Sequence, residues 1–214
     1  AVGGKAVAIG KTSYAAKDSG IALGDGAKAA EVNAIAIGSG NNAWKTDSIA
    51  LGRAANADGA ASLALGLNSH TRLDNAIALG NGANADHSNS IAIGTSSHAA
   101  ESTAIAIGNN AQALKYRAVV IGDQAQSNNS RSVVIGYHAS ATNPAKPASA
   151  EDDYNQTVAI SAYANAWGDQ STAIGNNVDA KGNSSIAIGA DDWDTVAVKT
   201  VDGTGKTVKE VYQD

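Results

Sequence analysis

A glycine recurs every fourteen residues, and this spacing constrains the chain more than any other feature. A short apolar run ends at Gly10, Gly24, Gly38, Gly52, Gly66, Gly80, Gly94, Gly108, Gly122 and Gly136. The register then jumps by 25 residues to Ser161 and resumes at Gly175 and Gly189. These positions define thirteen rungs with one interruption. Internal repetition at a fixed period is the signature of a stacked architecture in which each unit buries its face against its neighbours.

Every rung repeats the same pattern. An apolar, small, apolar triplet precedes the glycine, as in Ile35-Ala36-Ile37 and Ile77-Ala78-Leu79. In Val119-Val120-Ile121 and Val133-Val134-Ile135 the middle residue is larger. Three and five residues past the glycine stand small residues, such as Ala55 and Ala57 or Ala83 and Ala85, flanking a polar one such as Asn56 or Asn84. Alternation at period two is strand periodicity. Each rung therefore reads as two short strands joined by two turns, with the glycine making a tight bend that positive φ would suit. Fourteen residues are too few for a strand plus a helix. They fit one coil of a parallel solenoid, whose coils stack about 4.8 Å apart, so that twelve steps make a rod of roughly 60 Å.

Composition agrees with a thin core. The 214 residues include no Phe, Met or Cys and three Trp, yet 43% are hydrophobic, so Ala, Ile, Leu and Val carry the apolar content. With the Ile and Leu of the triplet facing inward against the Ala pair, large packs on small and the coil stays thin. The middle residues, Ala22 through Val134, would then face outward. With the facing reversed, the Ile column faces outward instead. Either arrangement leaves a flat apolar face that requires covering, which points to another chain.

The recurrent segments Asn89-Ser90-Ile91-Ala92-Ile93-Gly94 and Ser184-Ser185-Ile186-Ala187-Ile188-Gly189, with small residues three and five positions beyond, resemble the YadA-like head of trimeric autotransporter adhesins of Gram-negative bacteria. The likeness covers about residues 5 to 192. It implies an all-β, left-handed parallel β-roll assembled as a homotrimer. It also implies display at the outer membrane and cell surface, with attachment to host cell receptors or to matrix proteins of the collagen, fibronectin or laminin class. Membrane attachment would run through a C-terminal anchor outside this sequence. On this reading residues 1–192 form the head, and 193–214 form a connector to a neck, stalk or further head. The connector reads as a hairpin around Asp202-Gly203, since Asp-Gly is a strong turn signal. The family's basic, Asn-rich neck segment is not evident there.

Candidate contact residues fall in two places. The insertion at about 142–156 holds both prolines, Pro144 and Pro147, together with Lys146, Glu151, Asp152, Asp153 and Tyr154. Proline cannot donate to a strand ladder, so this segment is expected to leave the roll as a lateral loop. Trp44 and Trp167 share the column six residues past the glycine position, where Asp58, Arg72, Asp86 and Lys181 also stand, which places the column at an exposed edge. Exposed Trp suits binding hot spots, and a ring lying along its own turn to cover backbone suits the column equally.

Other function classes find little support. His70 and His98 share a column two rungs apart, about 9.6 Å at strand spacing, too far for one metal ion to bridge. A solvated face is the expectation for them. No nucleophile elbow, phosphate loop or zinc signature occurs, so no enzyme activity and no cofactor or metal are expected. The net charge of -5 and pI of 5.3, without a basic cluster, speak against nucleic acid as a partner. No Thr column marks an ice-binding face. Multivalent adhesion and a spacer that projects another adhesive module are the two readings left.

Overall fold

A computed structural model describes residues 1–142 and 156–189. It is a two-sheet parallel solenoid without helix among those residues. Thirteen three-residue strands, from Val7–Ile9 to Ile186–Ile188, form a wide sheet in strict chain order. Twelve two-residue strands, from Tyr14–Ala15 to Asp179–Ala180, form a narrow sheet opposite it. Each residue pairs with its equivalent fourteen positions on, as Ile77 with Ile91 and Asn84 with His98. The ladder also crosses the long register step, where Val133 pairs with Val158 and Ile135 with Ile160.

The turns are as regular as the strands. Among the described residues, each coil has a left-handed corner two residues past the glycine position, such as Asn68 (φ 53°) or Gly82 (φ 65°). A second lies nine residues past it, such as Asn75 (φ 57°) or Asn89 (φ 59°). The backbone stays paired around these corners: the Gly82 amide donates to Leu67 O at 2.8 Å and the Asn89 amide to Asp74 O at 3.0 Å, each one coil back. Turns stacked in register thus meet the hydrogen-bonding demand that isolated turns leave to water.

The direction of the triplet corrects the expectation that its Ile and Leu face inward. The middle residues, including Ala36, Ala78, Val120 and Val134, are fully buried, and the Ile and Leu on either side point out. Steric fit is the reason. Four inward columns converge in each coil: the middle residue, the one two positions before it, and the two small residues of the narrow sheet. All are small, and the largest fully buried side chains are Val120, Val134, Asn41, Thr71 and Thr157. Several polar members are tied off internally, which lowers the cost of burying them, although Asn41 Oδ1 and Ser171 Oγ have no partner among the described residues. Ser62 Oγ donates to Gly59 O at 2.7 Å, Thr71 Oγ1 to Ser62 Oγ at 2.9 Å, and Asn41 Nδ2 to Ala50 O at 2.8 Å.

Candidate functional site

The inward-small arrangement gives the rod two unlike faces. On the wide sheet, the residues before and after the buried middle position form two parallel columns. One runs through Ile77, Ile91 and Ile105, the other through Leu79, Ile93 and Ile107. These side chains are half-buried or exposed, and Ile37, Leu65, Ile121 and Ile135 are openly so. A strip of branched aliphatic residues this long and flat is not an ordinary solvent face.

The narrow sheet presents a polar ladder. Asn42 Nδ2 donates to Asn56 Oδ1 at 2.7 Å, one coil on, as stacked amides do. Farther along, Asn165 Nδ2 donates to Asp179 Oδ1 at 2.9 Å. The two histidines of this column do more than line a solvated face. His70 Nε2 lies 2.8 Å from Asp58 Oδ2, and His98 Nε2 lies 2.8 Å from Asp86 Oδ2. In both pairs the acid stands twelve residues before the histidine, on the preceding coil. Arg72 Nε is 2.9 Å from Asp86 Oδ1, an ion pair by distance whose N–H direction makes no hydrogen bond. The twice-repeated Asp–His spacing was the signal in the sequence for these pairs. Among the described residues, no group of three or more His, Cys, Asp or Glu side chains is placed to hold a metal ion.

Both tryptophans lie at the edge where the chain leaves the narrow sheet. Trp44 is 43% exposed, with Lys28 Nζ 5.8 Å from its ring centroid. Trp167 is half-buried, with Lys181 Nζ 4.9 Å from its centroid. Lys181 Nζ also lies 3.3 Å from Asp179 Oδ2. An ammonium over an indole face is a cation–π arrangement, and it occupies part of the ring surface that a partner would use. Pro144, Lys146, Pro147, Glu151, Asp152, Asp153 and Tyr154 lie outside the described residues, as does the segment 193–214.

At the opposite edge, next to the glycine column, the fold assembles a cluster that the sequence reading did not single out. Tyr137, His138 and Tyr163 sit on two adjacent coils. The His138 and Tyr163 rings stack with centroids 5.4 Å apart and 6° between planes. Tyr137 stands edge-on to both, at 4.3 Å from His138 and 5.4 Å from Tyr163. Hydrogen bonding to the Tyr163 side chain is the main cause that raises the Tyr137 phenol above its usual value, with like charge on Tyr163 and on Asp123 adding to it. Carrying the register across the 25-residue step puts His138 and Tyr163 in one column, which was the available clue.

The family of the YadA head domain repeat (2 copies) matches residues 1–27, 15–41, 43–69, 74–97, 88–111, 99–125, 113–139 and 162–177. Together these segments span well over half of the sequence, and the chain belongs to the YadA head-repeat family. It is a head domain of the adhesin type. A solved structure, the collagen-binding domain of the Yersinia adhesin YadA, is 18% identical over 95% of this chain and 92% of its own, with a TM-score of 0.35. No curated protein matches.

Proposed function

We propose that this chain is the adhesive head of a bacterial surface protein that works as a homotrimer. Three copies bury their wide sheets against one another and turn their narrow sheets outward. The observation that carries the reading is the separation of the two faces: Ile, Leu and Val columns broken only at Thr172 on one, a hydrogen-bonded polar ladder on the other. Burial of the aliphatic columns supplies the drive to associate, at about 25 cal/mol per Å² of apolar surface removed from water. A contact between adjacent copies that closes around a three-fold axis leaves no open end for fibre growth.

The outward face carries no catalytic constellation among the described residues and no deep concavity is needed for its use. Adhesion by such a surface rests on repetition: weak contacts along the rod and around the trimer add through effective concentration. Matrix proteins of the collagen, fibronectin and laminin class, or host cell receptors, are the partners that the adhesin resemblance implies. Saturable binding of the light-scattering-verified trimer to immobilised matrix proteins or host cells tests the reading. Binding to none of them would sink it. Unchanged adhesion of cells after deletion of the head from its parent protein would instead favour a spacer.

A further inference from the structure

The Tyr137, His138 and Tyr163 cluster stands out from its own columns. Two residues past the glycine position, other coils carry Thr12, Gly26, Ala54, Ser96, Asn110 or Asn177, all in the left-handed region. His138 (φ 54°) and Tyr163 (φ 57°) hold the same conformation with bulky rings. The corner is left-handed in every described coil, and Gly and Asn are the residues that accept it most readily. Local folding therefore does not call for aromatic residues here. The rings do not serve the core either, because Tyr137 is 44% and Tyr163 45% exposed. Aromatic rings left exposed or half-buried where other coils carry small or amide side chains are the mark of a surface kept for contact.

We propose that this edge is a carbohydrate platform, on which one pyranose ring of a neutral glycan packs its C–H face against the tyrosine rings. The electron-rich face of an aromatic ring attracts the polarised C–H groups of a sugar, as it attracts the edge of another ring. The surroundings supply the hydrogen bonds that sugar hydroxyls require. Asp123 lies one coil before Tyr137, held by Asn109 Nδ2 at 2.9 Å, and Gln124 and Asn177 occupy the corner positions on either side. Carboxylate and amide groups accept and donate to vicinal hydroxyls. The Tyr163 phenol adds a donor, while the Tyr137 O–H is engaged with the Tyr163 side chain. A protein partner is less well suited. Protein hot spots are ringed all round by contacts that exclude water, whereas here the aliphatic column at Ile135 adjoins one side only and Asp123, Gln124 and Asn177 flank the rings.

The proposal names a partner class for one place on the adhesive head and rests on that reading for its biological use. The binding itself requires only the cluster. The test is saturation-transfer NMR on the intact head with methyl β-galactoside, methyl α-mannoside and chitotriose as probes, and a proline-rich peptide as the protein control. At least one sugar is expected to receive saturation, strongest on the ring protons of one face. Tyr163→Asn and His138→Asn place the residue type used by other coils at these corners, so melting temperature should hold or rise. The same changes should weaken sugar binding by about tenfold, the loss of one stacked ring. No transfer to any of the sugars, undiminished transfer in the Asn variants, or transfer to the peptide alone that those variants abolish would each overturn the platform. Sugar binding by a head that attaches to no cell would leave the platform standing and remove the adhesive reading; the reverse result would do the opposite.

Discussion

The α-carbon of Gly80 faces the carbonyl oxygen of Gly94 on the next coil so closely that a Cβ at Gly80 would lie 2.5 Å from that oxygen. The same approach recurs down the column, with Gly24 against Gly38 and Gly108 against Gly122, each 2.3 Å from the added Cβ. The fourteen-residue glycine period thus has a steric cause beyond its φ of 139° at Gly80. Gly40 offers the contrast: its φ is 66°, and an added Cβ would meet nothing within 4 Å. Gly80→Ala is expected to cost about 3 kcal/mol or more, combining backbone strain with overpacking. Gly40→Ala should cost roughly 1 kcal/mol, the left-handed penalty alone. Denaturant midpoints of the two variants check the difference, and equal shifts would show that the inter-coil contact does not matter.

Ser161 occupies the glycine position of the coil after the insertion, at φ 103°. Its amide still donates to Ile135 O at 2.7 Å, so the ladder holds the serine in a conformation that its Cβ disfavours. Ser161→Gly should stabilise the roll by about 1 kcal/mol, the strain released less the added freedom of the unfolded chain. A lower melting temperature for this variant would refute the strain.

The triplet's facing predicts opposite responses at neighbouring residues. Ala78 is fully buried, so Ala78→Leu should destabilise the coil by about 1–3 kcal/mol through overpacking. Ile77 points out of the wide sheet, so Ile77→Lys with Ile91→Lys should leave the circular dichroism of strand intact. In the trimer proposed above these lysines bring like charges into an apolar contact, and the mass by light scattering should fall toward one chain. Loss of strand signal in the lysine variant would show that these side chains are needed inside the coil.

The period, the two-strand coil, the inward small pair of the narrow sheet and the resumption of the register at Ser161 were all legible, because each follows from spacing and alternation. Triplet direction was not, because Ile-Ala-Ile is apolar on both faces and alternation alone does not choose between them. The deciding signal lay one position farther out. Ser48, Ser62, Ala76 and Ser90 stand two residues before the middle Ala, on the same side of the strand, and belong with it as a second small column. Treating serine as a solvent residue hid that column. Its burial becomes tolerable only once turn carbonyls such as Gly59 O are seen to accept the hydroxyl. Side-chain pairs between coils, such as Asp58 with His70, depend on how the edge turns aim the acid, and a one-coil pattern does not carry that.

Asp86 and Asp58 should differ in weight despite their equivalent positions. The Asp86 side chain is 18% exposed and faces both His98 and Arg72, whereas Asp58, at 38%, faces His70. Exposed ion pairs contribute about 0–1 kcal/mol, more where several charges form a network. Asp86→Ala is therefore expected to cost about 1 kcal/mol and Asp58→Ala about half of that. Urea denaturation of both variants compares them, and a larger loss at Asp58 would contradict the network.

Tyr137 gives a spectroscopic handle on the aromatic edge. Its phenol is raised first by the hydrogen bond with the Tyr163 side chain, then by like charge on Tyr163 and Asp123. Absorbance near the phenolate band should show one tyrosine ionising above the usual value of about 10. Tyr163→Phe removes both the hydrogen bond and the competing charge, so that late step should move back toward the ordinary range. The sign of the linked stability follows from the direction. A group that holds its proton more tightly when folded contributes its stability fully below the unfolded pKa and loses it as pH rises through the folded one. The wild-type roll should therefore lose this contribution in the alkaline range above pH about 10, and Tyr163→Phe should flatten that part of the pH–stability curve. A late-ionising tyrosine that persists in Tyr163→Phe would place the cause elsewhere than in the Tyr137–Tyr163 pair.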